Sequence, residues 1–427
     1  MSDLALQLTA AWPAGASVED GRLTLGGIPA ADLAATYGTP AYVVDEDELR
    51  ARARAYVAAF AGHPGKVDVV FASKAFPCTA VLRALHEEGM GADVASAGEL
   101  YLARKAGVDP RQIVVHGNGK SLADLAAAVR EGVAFVVVDN PDEIGRLADA
   151  AASEGITQDV LVRVTPDVRG LTHDKISTGQ ADSKFGFAPD AAIAARTAID
   201  AAGSLNFRGW HLHIGSQLFE LDAFDKAIRT VAASGPCEVL DVGGGLGVSY
   251  GAHQAEPPTV EAYAEVLLKA VHETVGEQVH LIVEPGRSVT ARAGVTLYSV
   301  TSVKRNVSTW VAVDGGMSDN LRPMLYQAQY EALLADRPEA PGSDGHETVR
   351  IAGLHCESGD VLIEAIDLPT PAAGDIVAIP TTGAYTFSMA NTYNGTPRSP
   401  VVFVSGGASR VVVRRETLEE LGARDVD

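Results

Sequence analysis

The sequence predicts an α/β chain: a TIM (β/α)8 barrel followed by a C-terminal antiparallel β domain. Two observations carry that expectation. From about residue 45 to 294, eight short β-branched runs alternate with Ala/Leu-rich segments of helical period. After about residue 294, strand-like runs follow one another with no regular helices between them. Alternating strands and helices imply parallel strands joined by right-handed crossovers, and eight such units suit a closed barrel. The same alternation also fits an open doubly wound sheet.

The eight expected barrel strands are Asp68–Ala72, Gly91–Val94, Gln112–His116, Ala134–Asp139, Asp159–Val164, Gly209–Ile214, Glu238–Val242 and His280–Glu284. A helical segment, Asp47–Phe60, precedes the first strand, and others such as Cys78–Glu88, Leu122–Arg130, Pro141–Ser153 and Val260–Val275 lie between strands. Thr165–Phe187 is a long polar insertion after strand five, and loops of that length in compact domains are often functional. This division gives a barrel over 45–294 and a β domain over 295–427. In the β domain, Val295–Val303, Trp310–Asp314, Val349–His355, Asp375–Ile379 and Val401–Val413 read as strands. Residues 1–44, with Leu23–Leu25 and Ala41–Val44, are expected to add strands to it.

Composition narrows the function. The 427 residues carry 34 Lys and Arg against 55 Asp and Glu, a net charge of −21. That acidity argues against binding nucleic acid through bulk charge. No apolar run approaches the roughly 20 residues of a membrane helix. The first basic residue is Arg22, so the start lacks the charged region of a signal peptide. Cys78, Cys237 and Cys356 are widely spaced and odd in number, which suggests neither a disulfide framework nor a zinc site. His and Cys spacing offers no metal ligand set. A cytoplasmic, soluble protein is expected.

Chemistry concentrates where a barrel builds its active site, at the C-terminal ends of the strands. Strand one ends in Ser73-Lys74, strand two in Asp93, and strand three in His116-Gly117-Asn118. Strand five contains Arg163. Strand six ends in His211-Leu-His213-Ile-Gly-Ser216, strand seven in Gly243-Gly244-Gly245, and strand eight in Glu284-Pro285-Gly286-Arg287. A lysine desolvated at a barrel mouth has a lowered pKa and can form a Schiff base with an aldehyde; Lys74 also fits a side chain that snorkels into solvent. Consecutive glycine N–H groups can cradle a phosphate, and the same run fits a tight turn. Ser216 and Arg287 could add phosphate donors. Glu284 ends a buried strand and needs a cationic partner, either a protonated pyridine nitrogen or an arginine. His213 reads as a core histidine or as a flat ring stacked on a cofactor. An amine, a phosphate cradle, a carboxylate for a ring nitrogen and a stacking partner are the four needs of pyridoxal 5'-phosphate.

At this point the chain resembles the diaminopimelate decarboxylases, barrel-type pyridoxal-phosphate enzymes grouped with ornithine and arginine decarboxylases. The matching stretches are Phe71-Ala-Ser-Lys-Ala-Phe76, Asp93-Val-Ala-Ser-Ala-Gly-Glu99, His211-Leu-His-Ile-Gly-Ser-Gln217, Asp241-Val-Gly-Gly-Gly-Leu-Gly247 and Glu284-Pro-Gly-Arg287. Asp314-Gly-Gly-Met-Ser-Asp-Asn-Leu-Arg-Pro323, His355-Cys-Glu-Ser-Gly-Asp360 and Gly383-Ala-Tyr385 follow in order. The stretch Thr392-Tyr-Asn-Gly-Thr-Pro-Arg398 varies around the family's pattern, away from the cofactor set.

The resemblance implies roles. Lys74 would carry the cofactor covalently, and Asp93 would belong to the cofactor set. His213 would stack on the ring. Ser216, Gly243, Gly244, Gly245, Gly286, Arg287 and Tyr385 would surround the phosphate. Glu284 would keep the ring nitrogen protonated. Cys356 would return a proton after carbon dioxide leaves. Arg287, Arg322, Tyr326, Glu357 and Tyr385 would meet the substrate, with Cys356 and Glu357 reaching into the partner's site of a homodimer. The implied reaction is decarboxylation of meso-2,6-diaminopimelate to L-lysine, the last step of lysine biosynthesis. Taken alone, Cys356 also fits a buried apolar residue, and Arg322 a solvated one. Rival functions are decarboxylation of ornithine, lysine, arginine or carboxynorspermidine, a racemase on the related barrel, and a non-catalytic pyridoxal-phosphate carrier.

Overall fold

The computed structural model describes residues 8–168 and 183–426. The chain divides into two compact units. One comprises Arg52–Gly247 and Pro257–Val289; the other comprises Met1–Ala51, Val248–Glu256 and Thr290–Asp427.

The first unit is a closed barrel of eight parallel strands. Its strands are Val67–Ala72, Gly91–Val94, Ile113–Val115, Phe135–Val138, Gln158–Arg163, Leu205–His211, Val239–Asp241 and His280–Val283. The eighth closes on the first, with Ile282 opposite Asp68. Val70, Val114, Phe135, Val137, Leu161, Val239 and Ile282 pack together as a buried apolar cluster. Local chemistry starts the intervening helices. Ser96 accepts from the Glu99 N–H, Ser121 and Asp124 form a capping box, and Asn140 accepts from the Glu143 N–H ahead of Pro141.

Strand six departs most from its expected bounds. It begins at Leu205 and ends at His211, where Gly209–Ile214 was predicted. Polar Asn206 and Arg208 hide its start, and an irregularity in the pairing with strand five falls between Phe207 and Gly209. The chain leaves the ladder after His211, so His213 sits in the loop beyond the strand. Both ends of the polar insertion after strand five are tied together: Thr165 N–H donates to the Phe187 carbonyl and Phe187 N–H to that of Arg163, each at 2.8 Å. Residues 169–182 of that insertion lie outside the described residues.

The second unit is built on a nine-stranded sheet. Its main path runs Val361–Pro369, His346–Ala352, Thr309–Val313, Gly294–Arg305, Ala41–Asp45, Val401–Ser405, Ala408–Val413. Ile376–Ile379 also pairs with Gly294–Arg305, and Leu333–Leu334 with Ile376–Ile379. Most pairings are antiparallel. Thr309–Val313 with His346–Ala352, and Ala41–Asp45 with Val401–Ser405, are parallel. The predicted run Val401–Val413 is a hairpin turned by Gly406 and Gly407, both at positive φ. Val361–Pro369 escaped prediction because Glu364 and Asp367 interrupt its apolar run. Leu23–Leu25 joins a separate three-stranded sheet over Ser17–Pro29, and its leucines enter the same apolar cluster as Val295, Leu297 and Val402. Among the described residues no helix is long and apolar enough to cross a membrane.

A Cβ on Gly209 would lie 1.7 Å from the Val239 carbonyl oxygen of the neighbouring strand. Gly209→Ala should therefore cost at least about 2 kcal/mol through forced separation of the two strands. Denaturant unfolding of the two proteins measures this; a difference within ~0.5 kcal/mol would show that the approach is not so close.

Candidate active site

In the barrel unit, the strand ends bring an amine and a buried charge cluster into one chain of contacts. Ser73–Ala75 forms a short 3-10 turn at the end of strand one, with Ser73 buried beneath it. Lys74 rises from that turn, with its ammonium 3.4 Å from Asp93 Oδ2 at the end of strand two. Its side chain is 46% exposed, which agrees with the reading of a lysine that reaches towards solvent. The turn lifts the lysine clear of the buried run that precedes it.

Below it, Asp93 Oδ1 lies 3.7 Å from His116 Nε2, and that nitrogen is 2.5 Å from Glu284 Oε1. His211 Nε2 approaches Glu284 Oε2 at 3.4 Å. Burial works to raise the Glu284 carboxyl, but His116 and His211 outweigh it and hold the acid well below the usual carboxylate range. Asp241, on the adjacent strand, goes the other way: burial and then the charge of Glu284 push it well above that range. Two carboxylates this close cannot both stay ionised, and Glu284 keeps the charge. Asp241 Oδ1 accepts from the Gly243 N–H at 2.9 Å. The polar atoms of His116, His211, Asp241 and Glu284 lie within 4.8 Å of one another.

His213 follows in the loop after strand six and is half-buried. Burial, then Lys74 and Arg163, hold its imidazole well below the ordinary value, so the ring is neutral. The Gly244 N–H points at its Nδ1 at 3.3 Å, which assigns the ring proton to Nε2. The glycine run is packed as tightly as the imidazole. A Cβ on Gly244 would sit 2.1 Å from the Glu284 carbonyl oxygen, and one on Gly243, at φ +66°, 2.3 Å from that of Leu212. Gly245 and Gly286 complete the two loops, the latter against Ala72. Arg287 is buried after strand eight and donates from Nε and Nη2 to Ser216 Oγ at 3.3 and 3.2 Å.

Several supporting residues were not assigned from the sequence. Lys120 is 1% exposed; its ammonium meets the carbonyls of Gly117 and Val137 at 2.6 and 2.8 Å and Glu143 at 2.9 Å. This pins the loop that carries His116. Arg163 lies 3.8 Å from Asp139 and 4.3 Å from the centre of the Phe185 ring. His116, though noted at a strand end, was given no role. The missing signal is pairing between strands: each acid meets its partner only after the barrel closes.

The remaining predicted residues lie in the β unit. Arg322 opens the short helix Arg322–Tyr326 and is 5% exposed, not the solvated residue its type suggests. Its Nη1 donates to the Tyr330 hydroxyl, and its guanidinium lies 4.4 Å from the centre of the Tyr250 ring. Nε finds no acceptor, and among the described residues no carboxylate pairs with this cation. Tyr326 ends the same helix, and Gln327 at φ +53° stops it. Tyr385 is half-buried with a strained φ of +59°. Cys356 and Glu357 are exposed on the turn between Gly353 and Asp360. Buried Asp360 staples that turn, accepting from the N–H groups of His355 and Met317 at 2.9 and 2.7 Å. Asn394 Oδ1 takes the Cys356 N–H at 3.1 Å. A cavity of about 730 Å3 opens beside the Arg322 helix, lined among others by Met324, Tyr330, Val361 and Ile363; none of the predicted site residues lines it.

These groups fit pyridoxal phosphate. Glu284 is a buried anion to hold a ring nitrogen proton, His213 a neutral flat ring, and the cradle over Gly243–Gly245 excludes any Cβ. Arg287 and Ser216 add donors for a phosphate.

The cluster has a consequence for stability. Burial holds His211 down at about 3, against an ordinary 6.5. Between those values the unfolded chain binds a proton that the folded chain refuses, so stability falls as pH drops from about 6.5 towards 3 and is insensitive to this group above 6.5. Unfolding at about pH 4.5 and 7.5 should show a smaller acid loss in His211→Gln than in the parent. Equal losses would mean that His211 already binds its proton in the folded state.

Comparison with known proteins bears on the same residues. A family model, described as the pyridoxal-dependent decarboxylase, pyridoxal binding domain, matches residues 46–291. A diaminopimelate decarboxylase of Actinosynnema pretiosum subsp. auranticum is 46% identical over 98% of this chain and 96% of its own. The crystal structure of diaminopimelate decarboxylase from M. jannaschii in complex with L-lysine superposes with a TM-score of 0.89 at 34% identity, covering 97% of this chain and 98% of the other. That from Helicobacter pylori, also with L-lysine, gives 0.86 at 33%, covering 92% and 98%. The chain belongs to the diaminopimelate decarboxylase family of pyridoxal-dependent decarboxylases.

Proposed function

We propose that this protein decarboxylates meso-2,6-diaminopimelate to L-lysine and carbon dioxide with pyridoxal 5'-phosphate, as the last step of lysine biosynthesis. The single observation that favours this substrate is Arg322. A buried guanidinium with no carboxylate partner among the described residues is costly unless an anion comes to it. Diaminopimelate brings a second carboxylate, whose two oxygens match the planar fork of arginine. Ornithine and lysine end in an amine and would leave the cation unsatisfied. A carrier of the cofactor would have no use for such a receptor.

When bound, the cofactor supplies an electron-poor ring that accepts the electron pair left as carbon dioxide departs. The other tasks fall to this chain's own side chains. Lys74 holds the cofactor, with Asp93 beside its ammonium. Glu284 stays anionic and keeps the ring nitrogen protonated, while Asp241 gives up its charge to allow this. The neutral His213 ring would stack on the cofactor without adding a positive charge that competes. Ser216, Arg287, Tyr385 and the glycine run would surround the phosphate. Cys356 donates the proton that replaces the lost carboxyl group. Arg322, with Arg287, Tyr326, Tyr385 and Glu357, orients the substrate.

We also propose a cytoplasmic homodimer in which Cys356 and Glu357 serve the partner's site. Their exposure on a rigidly stapled turn supports this reading.

Carbon dioxide release from meso-diaminopimelate, with and without added pyridoxal phosphate, tests the function. Turnover should require the cofactor and vanish in Lys74→Ala together with the cofactor's visible absorbance. Arg322→Ala should raise KM about 100-fold with that absorbance retained. Ornithine turned over as fast as diaminopimelate would refute the substrate.

For the shared site, Lys74→Ala and Cys356→Ala proteins, each inactive, should recover up to about a quarter of parental activity after subunit exchange, since half the dimers are mixed and each holds one intact site. No recovery after verified exchange would place both residues in one chain's own site.

A further inference from the structure

We propose that Tyr250 and Tyr330 are positioning residues for Arg322, and that the segment Val248–Glu256 thereby sets selectivity for an amino acid with a second carboxylate over one ending in an amine alone. This deepens the reading of Arg322 above and rests on it.

Arg322 must do two opposed things. Its long side chain has to be held in one place, and its charge has to remain available. A carboxylate partner would fix the guanidinium but neutralise it, and an incoming anion would then have to displace that partner. The structure uses neutral groups instead. The Tyr330 hydroxyl accepts from Nη1, and the Tyr250 and Tyr330 ring centres lie 4.4 and 5.6 Å from the guanidinium carbon. The negative face of an aromatic ring attracts a desolvated cation without cancelling it. The two tyrosines brace each other edge to face, with ring centres 5.3 Å apart and planes at 85°. They are 2% and 5% exposed, so both rings are buried beside the guanidinium. Nε is left buried with no acceptor, a donor for the ligand to satisfy.

Tyr250 is itself fixed. Its N–H donates to Gln254 Oε1 at 2.9 Å, and Ser249 Oγ meets the Gly251 carbonyl at 3.0 Å. This segment leaves the glycine run at Gly247 and resumes the barrel at Pro257, yet it packs with the β unit. A short excursion between strands seven and eight therefore supplies the platform for an arginine more than 70 residues further along the chain.

Steady-state kinetics of the holoenzyme test the inference, with L-lysine as a competitive probe that lacks the second carboxylate. Tyr330→Phe removes the hydroxyl and keeps the ring. We expect KM for meso-diaminopimelate to rise about ten-fold, kcat to stay within about two-fold, and the inhibition constant of L-lysine to move less than about two-fold. Tyr250→Leu should raise KM about five-fold, and Tyr250→Phe, which keeps the ring face, should restore it. The Tyr250 pair carries the same test if Tyr330→Phe does not fold. Unchanged cofactor absorbance in each variant shows that the barrel site is intact. Equal weakening of diaminopimelate and lysine, or no change in KM, would overturn the inference while leaving the substrate in place. A parent enzyme inactive on diaminopimelate would instead remove the substrate reading, and this inference with it.

Discussion

One buried carboxylate organises the barrel site. Ionised Glu284 in an apolar interior would cost several kcal/mol if left alone. The barrel answers by bringing histidines to it from strands three and six and by making Asp241 on strand seven neutral. These neighbours then need neighbours. His116 stands on a loop held by Lys120, whose own buried charge is met by Glu143 and two carbonyls. Arg163 pairs with Asp139 and lies over Phe185. The polar content of this unit follows from keeping one charge where water cannot reach it.

The β unit meets the reverse problem. Arg322 is as buried as Glu284, yet it is braced by phenol rings and, among the described residues, left without a counter-charge. The difference fits the roles proposed for the two charges. A charge that is to face a resident cofactor is best held constant, surrounded by groups that fix its ionisation. A charge that is to bind and release a ligand in each cycle is best held in place without being neutralised.

Much of this was legible in the residues, and the limits have physical causes. The eight barrel strands announced themselves because parallel strands buried on both faces are continuous β-branched runs between amphipathic helices. Strand six was misplaced at its start because Asn206 and Arg208 break that run. In the β unit, sheet faces alternate and charged residues such as Glu364 and Asp367 mask a strand. The residues offered for chemistry were visible as polar side chains at strand ends. Their partners were not: His116 with Glu284, Lys120 with Glu143 and Tyr330 with Arg322 are ordinary residue types whose meaning lies in contacts made by folding. Burial is what residue type tells least. Lys74, which reads either as a desolvated amine or as a side chain reaching into solvent, is 46% exposed on its 3-10 turn, while Arg322, whose residue type alone suggests a solvated surface, is almost wholly enclosed.

The glycine run shows why a motif can be right for two reasons at once. A turn of consecutive glycines after a strand suggests N–H groups free for a phosphate. Here the space for a side chain on Gly244 is already taken by the carbonyl of Glu284, and that on Gly243 by the carbonyl of Leu212. The run is thus where the loops after strands six and eight close in on that after strand seven. The same approach sets the Gly244 N–H against His213 Nδ1, while burial, with Lys74 and Arg163, keeps that ring neutral. A side chain at Gly244 would push back the backbone of the residue that carries the essential charge. The absence of a Cβ there is demanded by the placement of Glu284 and His213 before any phosphate is considered.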